Sequence, residues 1–65
     1  MSRNDETVEI IAEETGRSSD RAIRYDIDDT FIWIPKSLIA DCWENGDGTW
    51  TLELPLWFAE QEGLV

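Results

Sequence analysis

The stretch "CWENGDGTW", Cys42 to Trp50, gathers the residues in this chain best suited to hold an ion. Asn45, Asp47 and Gly48 resemble the centre of a helix-flanked calcium loop, with Gly48 at the sixth position. That register places Trp43 at the first position, where an aspartate is needed. It places Leu54 at the twelfth, where a bidentate glutamate is needed. Both end ligands fail, and the flanks alternate as strands. The composition instead predicts a hairpin turn, with Gly46 and Gly48 supplying positive φ. Trp43 and Trp50 are then candidates for a cross-hairpin pair.

Other reactive constellations are thinner still. The chain contains no histidine, which removes Ser–His and Cys–His pairs and the usual zinc sets. Cys42 falls in an apolar strand and reads as a small buried thiol. Asp28 with Asp29, and Glu13 with Glu14, are adjacent acids of the kind common on solvated surfaces. Lys36 and Ser37 are neighbours whose side chains diverge. No glycine-rich phosphate loop is present. The expectation is a protein that is not an enzyme and that uses no metal or cofactor.

Charge narrows the partners. Asp and Glu number 15 against 5 Lys and Arg, for a net charge of −10. Clustered cations are needed to displace counterions from nucleic acid, so this chain is expected to repel duplex DNA on average. The segment 11–25 superficially resembles a helix-turn-helix, with Gly16 at the turn and Arg17, Arg21 and Arg24 facing outward. Asp20 and Asp26 flank that supposed reading helix and speak against it. The acidity has three readings: a solubilising surface, a face for a basic partner (including mimicry of nucleic acid), or adaptation to high salt. Tryptophan offers a second hint. Four indoles in 65 residues are hard to hide in one core, and exposed tryptophans favour binding hot spots.

The elements that must position these groups follow from periodicity. Residues 1–6 read as a mobile acidic tail and 7–65 as one small domain. Residues 7–14 fit either a strand or a helix. Ile23, Tyr25 and Ile27 alternate with Arg24 and Asp26 as a half-buried strand. Asp28 and Asp29 read as a tight connection. In "TFIWIP" (30–35) both faces are apolar, which predicts a central strand covered on each side. Residues 36–43 read as a turn and a strand. "TWTLEL" (49–54) is the cleanest strand in the chain. After it, Pro55 and Gly63 bracket a short helix. Trp57 and Phe58 are adjacent, so only one can face the sheet, and a face of the 30–34 strand is the expected dock.

At "WIPKSLI" (33–39) and "LELPLWFAEQEGL" (52–64) the chain resembles small uncharacterised proteins of bacteriophages and prophages. These share a "WIPKS" turn and a C-terminal "P-x-W-x-A-E-x-x-G-L" helix, and the likeness lies within residues 21–64. It implies a phage accessory role and no mechanism.

A chain of 65 residues buries only ~60% of its unfolded surface, so aromatic burial or homo-oligomerisation must add stability. The fold expected is a small antiparallel sheet, or a half-open SH3-like barrel, of four to five strands with a short C-terminal helix. No apolar run is long enough to span a membrane and no signal-peptide apolar region is seen, so a cytoplasmic location is expected. The expected function is binding of a basic host protein, with inhibition of a nucleic-acid-handling or defence system as one outcome. Asp26, Asp28, Asp29, Glu44 and Asp47 would form an acidic rim, placed together if the strands form a meander. Trp43, Trp50 and Trp57 are the aromatic candidates. The alternatives are a single-stranded nucleic-acid binder that stacks bases on exposed tryptophans, and a structural or oligomer-forming component.

Overall fold

The computed structural model describes residues 6–65; residues 1–5 of the expected tail lie outside the described residues. Five strands form one antiparallel sheet: β1 (Thr7–Ser18), β2 (Ala22–Ile27), β3 (Thr30–Pro35), β4 (Asp41–Glu44) and β5 (Thr49–Pro55). A 3₁₀ turn, Lys36–Leu38, follows β3, and helix α1 (Leu56–Gln61) follows β5. The order across the sheet is β3-β2-β1-β5-β4. Of the two expected arrangements the structure shows the sheet, with β3 and β4 as its edges.

Strand β1 is long because two hairpins share it. Its N-terminal half pairs with β5, from Thr7 opposite Pro55 to Glu13 opposite Thr49. Its C-terminal half pairs with β2, starting at Glu13 opposite Asp26. The ladder to β2 shifts between Glu14 and Ser18, where Gly16 has φ +79°. Thr15 holds this bulge: its hydroxyl donates to the Arg24 carbonyl (2.9 Å) and accepts from the Arg17 N–H (3.3 Å). The expected meander is therefore corrected. After Pro35 the chain crosses from one edge of the sheet to the other, leaving β1 in the middle.

One face of this sheet carries the core. Ile10 and Ala12 of β1, Tyr25 and Ile27 of β2, Ile32 and Ile34 of β3, and Leu52 and Leu54 of β5 are buried. All alternate at a period of two, as strands demand. Burial raises the Tyr25 phenol above its ordinary pKa, with smaller contributions from Cys42 and Glu14. Helix α1 lies against β5 and β1 rather than on β3. A helix this short forms because it docks and because both ends are tied. The Leu56 N–H donates to the Glu6 carbonyl (2.9 Å), and the Leu64 N–H donates to the Ala59 carbonyl (2.7 Å). Gly63, at φ +73°, makes the second bond possible, and Leu64 folds back against the core. This is the Schellman arrangement.

Two readings of individual strands are corrected. Strand β3 is an edge strand, not a central one: Ile32 and Ile34 are buried, but Phe31 and Trp33 on its other face are 57% and 49% exposed. Cys42 is exposed, because β4 is the opposite edge and the core narrows before reaching it.

Trp57 and Phe58 divide as their adjacency requires. Phe58 is buried and Trp57 is 41% exposed, the two rings meeting edge to face at 5.9 Å. Phe58→Ala is expected to destabilise by ~3–5 kcal/mol, enough to unfold so small a domain. Trp57→Ala forfeits the ring contact, ~0.5–1.5 kcal/mol, and only part of a ring's burial, so it should cost less than Phe58→Ala. Chemical denaturation measures both; equal losses would contradict this division.

Candidate functional site

The face of the sheet opposite α1 has no covering layer among the described residues. Register determines which side chains share it. Trp43 of β4 stands opposite Thr51 of β5, which stands opposite Ile11 of β1. Ile11 is 56% and Trp43 40% exposed. One row to one side, Asp41, Glu53 and Glu9 stand in succession across β4, β5 and β1. One row to the other side, Thr49, Glu13, Asp26 and Phe31 run across β5, β1, β2 and β3. Beyond them Arg24 faces Trp33. The face is thus an apolar stripe between two carboxylate rows, with an aromatic pair at the β3 edge. Like charges directly opposite are unfavourable in a sheet; within this row Glu53 accepts the Thr7 hydroxyl (2.7 Å).

The two turns meet this face from opposite directions. The β2–β3 turn is a two-residue loop with positive φ at both Asp28 (52°) and Asp29 (64°). That geometry favours Asn-Gly; aspartate accepts it at some strain. An open cleft of about 340 Å³ lies beside the turn, lined by Ile11, Glu13, Asp26, Asp28, Asp29 and Thr49, and by Ala12. The β4–β5 turn reaches it through Thr49. The Thr51 hydroxyl donates to Asn45 Oδ1 (3.0 Å), Asn45 Nδ2 donates to the Thr49 hydroxyl (3.0 Å), and that hydroxyl donates to Asp47 Oδ1 (2.6 Å). The Thr49 N–H also donates to Asp47 Oδ1 (3.0 Å). The relay satisfies the buried Thr51 hydroxyl and makes the "NGDG" segment a rigid hairpin turn.

Of the expected rim, Asp26, Asp28 and Asp29 line one cleft, and Asp47 is joined to its wall through Thr49. Glu44 is not with them. It stands opposite Trp50, in register with Ala12 on the helix side of the sheet. The same register separates the two hairpin tryptophans: Trp43 lies on the open face and half-buried Trp50 packs against the core. Trp57 is on the helix, away from the open face. Sequence reasoning missed Phe31, Trp33 and Ile11, and the acids Glu9, Glu13, Asp41 and Glu53. Pro35 was the available signal for β3, since proline within a strand marks an edge.

One cation, Arg24, stands on this face at its β3 edge, opposite Trp33. The Arg24 guanidinium lies 4.0 Å from the centroid of Phe31, a cation–π contact. Arg17 and Lys36 line a separate cleft where β1 ends and β3 ends, and the Lys36 N–H donates to the Arg21 carbonyl (2.7 Å). Among the described residues no group of three or more Asp, Glu, Cys or His is arranged to hold a metal ion, and no helix is long and apolar enough to cross a membrane. Comparison with protein-family models, curated proteins and solved structures gave no match.

The two hydrogen bonds from Thr49, hydroxyl first and then backbone N–H, hold the Asp47 carboxyl below the ordinary aspartate pKa. A depressed pKa stabilises the fold above the unfolded value, ~3.9, and that contribution disappears as pH falls through the folded value. NMR titration of Asp47 should give a midpoint below the ordinary value, and Thr49→Val should raise it. An unchanged midpoint in Thr49→Val would show that the relay does not act on the carboxylate.

Proposed function

We propose that this protein is a non-enzymatic binding module that docks a basic protein through the open face of its sheet. The observation that supports this most is the interleaving on that face: Ile11, Phe31, Trp33 and Trp43 exposed among Glu9, Glu13, Asp26, Asp41 and Glu53. Large exposed apolar groups between charged rows match an interface with an apolar centre and a polar rim. Tryptophan is enriched among residues that dominate binding energy. The carboxylates and a net charge of −10 supply the long-range field that draws a basic partner. The Asp28–Asp29 turn extends that field to the edge of the cleft.

The likeness to phage and prophage proteins supports a setting in a bacterial host, where the basic partner would be a host protein and binding would inhibit it. Nucleic-acid-handling and defence proteins are basic enough to fit. Single-stranded nucleic acid is the weaker ligand, since phosphates approaching Trp43 and Ile11 would meet the same carboxylate rows.

The test starts with affinity capture from host lysate, comparing the wild-type chain with Trp33→Ala and Trp43→Ala. Kinetics are then measured on any protein lost from the variants. Asp28→Asn with Asp29→Asn should slow association, more at low salt than at 0.5 M, with dissociation little changed. Trp33→Ala or Trp43→Ala should speed dissociation, weakening binding by ~2 kcal/mol or more. Association rates unaffected by the aspartates at either salt would contradict the acidic field. Quenching of tryptophan emission by a single-stranded oligonucleotide, with no protein captured, would replace this reading with the nucleic-acid one.

A further inference from the structure

The two edges of the sheet are not alike. Strand β4 is four residues long and acidic at both ends, with Asp41 and Glu44. The Asp41 carboxylate accepts the Cys42 N–H at 2.8 Å, closing part of that edge. Strand β3 has no such protection. It pairs with β2 without a break, from Ile27 opposite Thr30 to Ala22 opposite Pro35. In a two-residue hairpin the pair flanking the turn is hydrogen-bonded, and bonding then alternates. Thr30, Ile32 and Ile34 therefore bond to β2, while the N–H and C=O groups of Phe31 and Trp33 point away from the sheet. Edges are normally blunted by charged residues, proline or bulges. Residues 30–34 carry no charge, and Pro35 comes only at the end.

We infer that the occupant of this edge is a second copy of the chain, paired antiparallel along β3 about a two-fold axis at Ile32. Charge selects this partner. Acidic Asp28 and Asp29 precede β3, and basic Lys36 follows it. With Phe31 opposite the partner's Trp33, the outward N–H and C=O groups of both strands are matched, and Ile32 faces the partner's Ile32. The same register carries Asp28 to the level of the partner's Lys36, and the two-fold repeats the match. Phe31 and Trp33 stay on the open face, where each ring gains a cross-strand aromatic neighbour. The two sheets become one, and the open faces of both copies join into a single surface.

A pairing of one short strand is smaller than a standard interface, ~1,200–2,000 Å², so its dissociation constant should fall between ~10 µM and ~1 mM. Sedimentation equilibrium of the full chain from 10 µM to 1 mM, at constant salt, should show a monomer–dimer equilibrium. Lys36→Glu alone, or Asp28→Lys with Asp29→Lys, should weaken it by about tenfold. The triple variant, with both ends reversed, should return to within about threefold of wild type. Trp33→Pro removes one outward N–H without touching the ladder to β2 and should abolish the dimer; circular dichroism checks that the variant is folded. A chain that stays monomeric at 1 mM overturns the proposal. So does a triple variant that fails to recover, or a dimer that survives Trp33→Pro but is lost in Trp43→Ala, which would mean that the open faces stack instead.

Discussion

The fold depends on the division of β1 between two hairpins. Residues 7–13 pair with β5, and residues from Glu13 onward pair with β2. Neither hairpin could bury its apolar residues alone, since an isolated two-stranded unit is marginal in water. Shared through β1, they place Ile10, Ala12, Tyr25, Ile27, Ile32, Ile34, Leu52 and Leu54 on one face. A slip of one residue in either register would turn a whole set of these outward. At the Gly16 bulge, held by the Thr15 bonds, the β1–β2 ladder shifts register and resumes with Ser18 opposite Ile23.

The open face is a consequence of that division. A short helix can cover one side of five strands and no more. The side it covers is chosen by Phe58, which joins the cluster holding Ile34, Leu52 and Leu54. The positions that alternate with the core then make the other face, and in this chain they hold four large exposed apolar side chains, five carboxylates and Arg24 around a buried Thr51. The overlap of the two registers at Glu13 also brings the Asp28–Asp29 turn and the Thr49 end of the other turn to one cleft, although the turns point in opposite directions.

Much of this was legible in the residues. Trp50, Leu52 and Leu54 alternate without exception, "NGDG" names its own turn, and Pro55 with Gly63 brackets the helix. The strand order was not legible. Alternation shows that 7–14 has an inner face, but not that its two halves serve different neighbours; that is decided by which pairing buries more. β3 misled because "FIWI" is apolar on both faces, and a strand covered on both sides looks the same as an edge strand with an unused apolar face. Its consequences carried through to the site: with β3 read as central, Phe31 and Trp33 were assigned to the interior. The placement of Glu44 away from Asp47 follows from a one-residue difference in register across β4, which no composition rule resolves.

The central claim is that indoles stand exposed in a field of carboxylates on one side of this sheet. It is tested most directly by collisional quenching in single-tryptophan variants that keep Trp33 or Trp43, comparing caesium with iodide at matched ionic strength. A free tryptophan amide calibrates the two ions. Both indoles should be accessible and should favour caesium over iodide relative to the free amide, Trp43 more than Trp33, because carboxylates concentrate cations around Trp43 whereas Arg24 stands opposite Trp33. Indoles shielded from both ions, or quenched with no preference between them, would contradict the account.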